Sequence, residues 1–154
     1  MINHTNIPAP LWRRLMAMVY DSLVLLAVSM AYGALATGVL VLLYGQGEHD
    51  YRPMSEGYGF LLGWIFCLLL FHLFFWRRDG QTLGMKAWRI KIVDRNGGSI
   101  SVTQGCLRFF TAILSLLMFG IGYLWGLFNP ERACWHDLAS SSRTILLPTS
   151  QSNK

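Results

Sequence analysis

Charge is scarce in this chain. Only 14% of its 154 residues are Asp, Glu, Lys or Arg, while 53% are hydrophobic; a soluble domain carries about 25% charged and about 45–50% apolar residues. The deficit excludes a disordered protein and a coiled coil, and the length leaves room for one domain. The scarcity is also patterned. Ser22–Tyr44 (23 residues), Gly57–Trp76 (20 residues) and Phe109–Pro130 (22 residues) hold no charged side chain at all. About 20 uncharged, mostly apolar residues span the ~30 Å hydrocarbon layer as a helix, and three all-round apolar stretches exceed what a soluble fold of this size can bury. The composition therefore predicts an integral membrane protein.

Other absences narrow the function. Cys67, Cys106 and Cys134 are widely spaced with no C-x-x-C, which excludes a disulfide framework and the common zinc patterns. Cys134-Trp135-His136 has no second ligand pair elsewhere, so no metal is expected. No H-E-x-x-H, phosphate loop or nucleophile elbow occurs, and neither an enzyme nor a cofactor is predicted. The net charge of +5 would suit nucleic acid in a soluble protein. Here the basic residues flank apolar segments, the pattern of head-group contact and orientation, so the expected partner is the lipid bilayer rather than nucleic acid.

Between Leu11 and Leu43 there is no proline, whereas Pro8 and Pro10 precede it; this predicts a first helix over Leu11–Leu43. Ala34-Leu35-Ala36 resembles a cleavage site, but the apolar run continues past it, so an uncleaved span is expected. Ala27, Ala31, Ala34 and Gly38 form a small-residue stripe along it, and Gly59-x-x-x-Gly63 opens a second helix over Tyr58–Trp76; both are packing motifs of helices in lipid. Trp76, Trp125 and Trp135 near segment ends read as interfacial anchors. The polar loop Gly45–Glu56 has one basic residue, Arg52, while Arg77, Arg78, Lys86, Arg89, Lys91 and Arg95 crowd the next connection. The positive-inside rule places that second connection and the N-terminus in the cytoplasm.

Trp88–Val93 alternates apolar and basic residues, Asp94-Arg-Asn-Gly-Gly98 carries turn chemistry, and Ser99–Val102 alternates again. This predicts a cytoplasmic β-hairpin of Trp88–Val93 with Ser99–Val102. Thr144–Leu147 is a further short strand whose only candidate partner is that hairpin. Gly120-Ile121-Gly122 interrupts the third apolar segment, Cys106–Phe128, where a continuous helix would be weakened. A re-entrant helical hairpin with a cytoplasmic tail is preferred to a third crossing. The fold class is thus an all-α membrane protein: two full transmembrane helices, a third apolar segment that re-enters or spans, and a small cytoplasmic β-hairpin. Residues 1–10 form a polar lead, 11–147 the membrane domain and 148–154 a polar tail.

Three stretches now stand out in order: Arg13-Arg14-Leu-Met-Ala-Met-Val-Tyr-Asp21; Gly80-Gln-Thr-Leu-Gly84-Met-Lys86 running to Asp94, Gly97-Gly98, Gln104 and Arg108; and His136-Asp137-Leu-Ala139 with Thr144 beyond it. Together they resemble the RDD family of small bacterial membrane proteins, over about Leu11–Leu147. The Arg and two Asp of the family's name correspond to Arg14, Asp21 and Asp137. Ser142-Arg143 before Thr144 departs from the family's usual small residue and glycine. The resemblance implies a multi-pass protein of the bacterial inner membrane. It also implies a role in transport, with sodium/proton exchange assigned to one branch, though nothing in the motif names a substrate.

Asp21 is the most informative position, because no other charge comes until Glu48 and an ionised carboxylate at membrane depth needs a partner. Arg14 lies seven residues before it, on a similar helix face but ~10 Å away along the axis. The expected pairs are Asp21 with Arg108 and Arg14 with Asp137, a four-charge network. It serves either as a packing lock or as an ion or proton site. His72 in the second helix and His136 beside Asp137 are candidate modulators, weighed against packing and capping roles. Two functions are open. One is a small ion or solute transporter, oligomeric and using Asp21. The other is a non-transporting scaffold or accessory subunit that docks a membrane protein partner through its basic cytoplasmic hairpin.

Overall fold

The computed structural model describes residues 7–44 and 58–148. The residues before Ile7, the Gly45–Glu56 loop and the tail after Pro148 lie outside it. The chain runs α1 (Leu11–Tyr44), α2 (Tyr58–Arg78), α3 (Leu83–Ala87), β1 (Ile90–Asp94), α4 (Val102–Leu117), α5 (Ile121–Phe128), α6 (Trp135–Ala139) and β2 (Ser142–Leu146). Mostly helical with one small sheet, it matches the expected helix content but not the expected hairpin.

α1 begins directly after Pro10, whose fixed φ and missing N–H suit a helix entrance, and runs 34 residues without a break. α2 ends on Arg77 and Arg78, cations that complement the carbonyl end of a helix. Both helices are long and apolar enough to cross a membrane. They touch lightly: Tyr32 Oη donates to the Phe60 carbonyl at 3.0 Å and Trp64 Nε1 to Ser29 Oγ at 2.9 Å. Gly63 meets Tyr32, whereas Gly59 faces open space, so one glycine of the pair makes the contact. The Ala27, Ala31, Ala34 and Gly38 stripe is exposed, away from α2.

The third apolar segment is broken. Phe119 and Gly120 take φ of +55° and +76°, the left-handed region that ends a helix, and Gly120 N–H bonds back to the Ser115 carbonyl at 2.8 Å. α4 and α5 meet at 99°. Gly122 then lies against Ser115 and Trp135, so α5 turns aside nearly at a right angle and α6 packs back against α4.

β1 pairs antiparallel with β2, Ile90 opposite Leu146 through Asp94 opposite Ser142. Along the other edge of β2, Ala9 N–H donates to Thr144 O and Leu146 N–H to Ile7 O, at 2.9 and 2.8 Å. The lead into α1 thus clamps the strand. This corrects the expected hairpin. The Asp94–Gly98 turn forms, its Asp94 carboxylate accepting from Asn96 and Gly98 N–H. The residues beyond the turn do not form a strand. Ser101 caps α4 and exchanges hydrogen bonds with Gln104, a capping box, while Ile100 enters the core. Trp76, expected as an interfacial anchor, is buried as well.

The core of Ala9, Ala17, Trp76, Met85, Ile90, Ile92, Ile100 and Phe109 sits at one end, where the start of α1, the end of α2, α3, β1 and α4 converge. Beyond it, α1 and α2 present apolar side chains outward, Leu42 being 85% and Leu35 71% exposed.

Candidate functional site

α6 is one turn long, and Asp137 sits at its third position, with Oδ2 accepting from the Cys134 N–H at 3.2 Å. The same carboxylate collects α1, α4 and β2. Arg14 Nη1 donates to Oδ2 at 2.5 Å, Arg108 Nη1 to Oδ1 at 2.5 Å and Thr144 Oγ1 to Oδ1 at 3.0 Å. Asp137 is 1% exposed. Each arginine has further partners. Arg14 donates to the Ala9 and Thr144 carbonyls and to Cys134 Sγ. Arg108 donates to Ser142 Oγ at 2.7 Å and Thr144 Oγ1 at 2.8 Å, and lies over the Trp76 ring. A buried ion pair holds only when such extra hydrogen bonds satisfy the remaining donors, and here they do for most of them.

Burial alone would raise the Asp137 pKa, but Arg108, His136 and Arg14 outweigh it and hold the carboxyl well below the usual range. His136, 3.7 Å from Asp137 through Nε2, goes the other way: burial first, then the two guanidiniums, push its pKa down to about 3. It is neutral at pH 7, so two arginines share one aspartate and the cluster carries a net positive charge. Burial pushes the Cys134 thiol up. Cys134, His136 and Asp137 bring possible ligand atoms within 4.8 Å of one another, yet Arg14 already donates to both the thiol and the carboxylate. Two guanidiniums at that point oppose a metal cation, so the set does not fit one.

Asp21 stands apart from this cluster. Its Oδ2 accepts from Thr82 Oγ1 at 2.5 Å and its Oδ1 from Gly84 N–H at 2.8 Å, and among the described residues it has no ion-pair partner. The expected Asp21–Arg108 pair is not formed, because Arg108 is spent on Asp137 and α3 occupies the height of Asp21 on α1. Neutral donors replace the cation. The Gly80–Lys86 stretch is built for this: Gly80, at φ +72°, lies so close to the Ile92 carbonyl that a Cβ would sit 2.7 Å from it. Thr82 caps α3, and Gly84 lets α3 press on the Ala17 carbonyl. Sequence reasoning misses Thr82, Gly84, Cys134, Ser142 and Thr144 as site residues, although four of them lie in or beside the quoted motifs. His72 is outside the network, with Nδ1 at 2.8 Å from the Leu68 carbonyl and its ring among Trp76 and Phe109.

Two cavities flank the Asp137 cluster, and Arg14 contributes to the wall of each. One, of about 230 Å³, opens between β2, α6 and Glu131; the other, of about 410 Å³, lies between the start of α1 and the end of α5. Asp21 lines neither.

The RDD family model matches residues 8–141. This span holds every charged member of both clusters, and the chain belongs to the RDD family. It is similar to "Uncharacterized protein YxaI" of Bacillus subtilis (strain 168), 36% identical over 64 residues, which are 42% of this chain and 42% of that protein. The chain thus matches less than half the length of this relative. No solved structure gives a significant match.

Proposed function

We propose that this protein is a multi-pass membrane protein of the bacterial inner membrane, and that it works as a non-transporting, non-enzymatic scaffold or accessory subunit. The outward-facing leucines of α1 and α2 suit lipid. The exposed Arg77, Arg78, Arg89 and Arg95 suit the cytoplasmic face by the positive-inside rule. The contact of Arg14 with Asp137 supports a third segment that re-enters, with its two flanks on that same face. The basic face then docks a partner with an acidic surface, a membrane protein or a second copy.

The observation that carries the scaffold reading is the state of the two carboxylates. Asp137 is enclosed by two arginines and Thr144, and Asp21 by Thr82 and the Gly84 N–H. An ion-carrying carboxylate needs a free oxygen facing water, and these two face donors. Transport is kept as a second function by one feature: Asp21 is 8% exposed and, among the described residues, is held by neutral groups with no cation paired to it, a buried charge of the kind that marks function in membrane proteins. Reconstitution into liposomes with an internal pH dye tests both. No proton flux above empty liposomes, with or without a sodium gradient, is expected. Flux that disappears in Asp21→Asn would establish transport and overturn the scaffold.

A further inference from the structure

We infer that the cavity of about 230 Å³ beside the Asp137 cluster is an anion site for a phosphate group. Its wall contains Arg14, Arg95 and Arg143 against Asp137 and Glu131. The formal balance understates the excess of positive charge. Asp137 is already bonded to Arg14 inside the cavity wall and to Arg108 behind it, so it offers nothing to a further cation. Arg95 and Arg143 make no ion pair among the described residues and are exposed at the rim. Glu131, also exposed, brings one negative charge to the same rim.

Arg14 supplies the second observation. It is 6% exposed, and a guanidinium has five N–H donors. Four bonds are made: Nε to Ala9 O, Nη1 to Cys134 Sγ and to Asp137, and Nη2 to Thr144 O at a long 3.4 Å. One Nη2 hydrogen is left without an acceptor among the described residues, on a buried cation that lines the cavity. A buried charge with an unused donor is costly, and an anion in the cavity relieves both the donor and the net positive charge.

The donors define the ligand class. Three arginines from different elements, Arg14 on α1, Arg95 after β1 and Arg143 on β2, line the same cavity. That suits a tetrahedral oxyanion better than a planar carboxylate, and the planar fork of arginine matches phosphate oxygens in pairs. The volume exceeds that of a single water several-fold. Two sources share this chemistry: a free phosphate or phosphomonoester, and the head group of an anionic phospholipid. The inference does not depend on whether the protein transports.

The test uses the full chain in a neutral detergent, with melting followed by tryptophan fluorescence. The probes are inorganic phosphate, short-chain phosphatidylglycerol, and chloride at matched ionic strength. Wild type is expected to melt higher with phosphate or phosphatidylglycerol than with chloride. Arg95→Gln with Arg143→Gln should bind at least tenfold more weakly while melting as wild type without ligand. If that pair is itself unstable, Arg95→Lys with Arg143→Lys keeps the charges, removes the forks and should show an intermediate loss. A control pair, Arg77→Gln with Arg78→Gln, should bind as wild type. A response to phosphate alone assigns a soluble ligand, and one to phosphatidylglycerol alone assigns a head group; either supports the site. No response beyond chloride, or an equal loss in the control pair, overturns it.

Discussion

The two ends of this molecule are held together differently. Through most of their length α1 and α2 touch at a few points, Tyr32 to Phe60 and Trp64 to Ser29, and their leucines face outward. At the other end, short elements of five residues each, α3, β1, α6 and β2, pack with the adjoining ends of α1, α2 and α4 around a buried core and two enclosed carboxylates. In a bilayer a long apolar helix satisfies all of its backbone hydrogen bonds internally. One-turn helices and a two-stranded sheet are marginal alone, so they persist because Arg14, Arg108, Asp21 and Thr144 tie them to the long ones. Specificity is concentrated in the polar cap, while the apolar rods supply length.

That contrast predicts large effects in the cap and small ones on the rods. The largest is Asp137→Leu, which leaves two buried guanidiniums without a counter-charge. Removing one member of a buried pair costs about 3–5 kcal/mol, and this variant should fail to accumulate as a monodisperse species in size-exclusion chromatography. Combining it with Arg14→Met and Arg108→Met should recover part of the loss, since apolar replacement of a whole buried ionic group is often tolerated. No recovery would mean that these groups are not coupled.

Next comes the α1–α3 contact. A Cβ at Gly84 would collide with the Ala17 carbonyl and approach the Asp21 carboxylate. Backbone on one side and a capped aspartate on the other cannot yield cheaply, and Gly84→Ala should cost about 1–3 kcal/mol. Asp21→Asn turns one acceptor oxygen into a donor facing Thr82 or Gly84, and should cost a similar amount, about 1–3 kcal/mol. Thermal melts in detergent check both.

Acid should act on the cap through His136. The folded-state pKa of His136, about 3, lies below its ordinary 6.5. Between those values the unfolded chain holds a proton that the folded chain does not, so stability falls as pH drops below about 6. The limiting slope for one proton is on the order of 1 kcal/mol per pH unit. Asp137, whose pKa is also lowered on folding, adds to the same loss below its ordinary value of 3.8. His136→Phe should flatten the decline between about pH 6 and 4, read from melting temperature against pH. An unchanged slope would show that His136 is not the group responsible.

The smallest effect is expected on the rods. Gly59 faces open space, and Gly59→Ala should stay within about 0.5 kcal/mol of wild type, with any change favouring the helix. Gly63→Ala must displace the Tyr32 hydroxyl, the end of a flexible side chain, and should cost somewhat more. Equal effects at both positions would restore the two-glycine motif that the contacts do not support.

The same division governs what is legible in the sequence. The proline-free stretch after Pro10 and the charge-free run before Arg77 locate α1 and α2 to within two residues. Gly120 marks the break in the third segment, since its φ of +76° favours glycine. Thr144–Leu147 is a strand shifted by little, to Ser142–Leu146. Ser99–Val102 misleads: its alternation mimics a strand, but Ser101 with Gln104 three residues later is also a helix start, and tertiary packing of Ile100 decides between them. Arg14 and Asp137, 123 residues apart, are joined by charge complementarity that a sequence can suggest. The partners of Asp21 are a hydroxyl and a backbone N–H, which carry no charge to pair with and become visible only when α3 is seen against α1.

Arg14 belongs to the start of α1 and Asp137 lies just past the third apolar segment, so a bond between them requires both flanks of that segment to lie on one side of a membrane. Cysteines introduced singly by Thr5→Cys and Ser152→Cys, with Cys67, Cys106 and Cys134 replaced by serine, test this with an impermeant thiol reagent. Both positions should be protected in intact cells and modified in inverted vesicles. Modification of Ser152→Cys in intact cells while Thr5→Cys stays protected would place the two ends on opposite sides, and the shared aspartate could not join them.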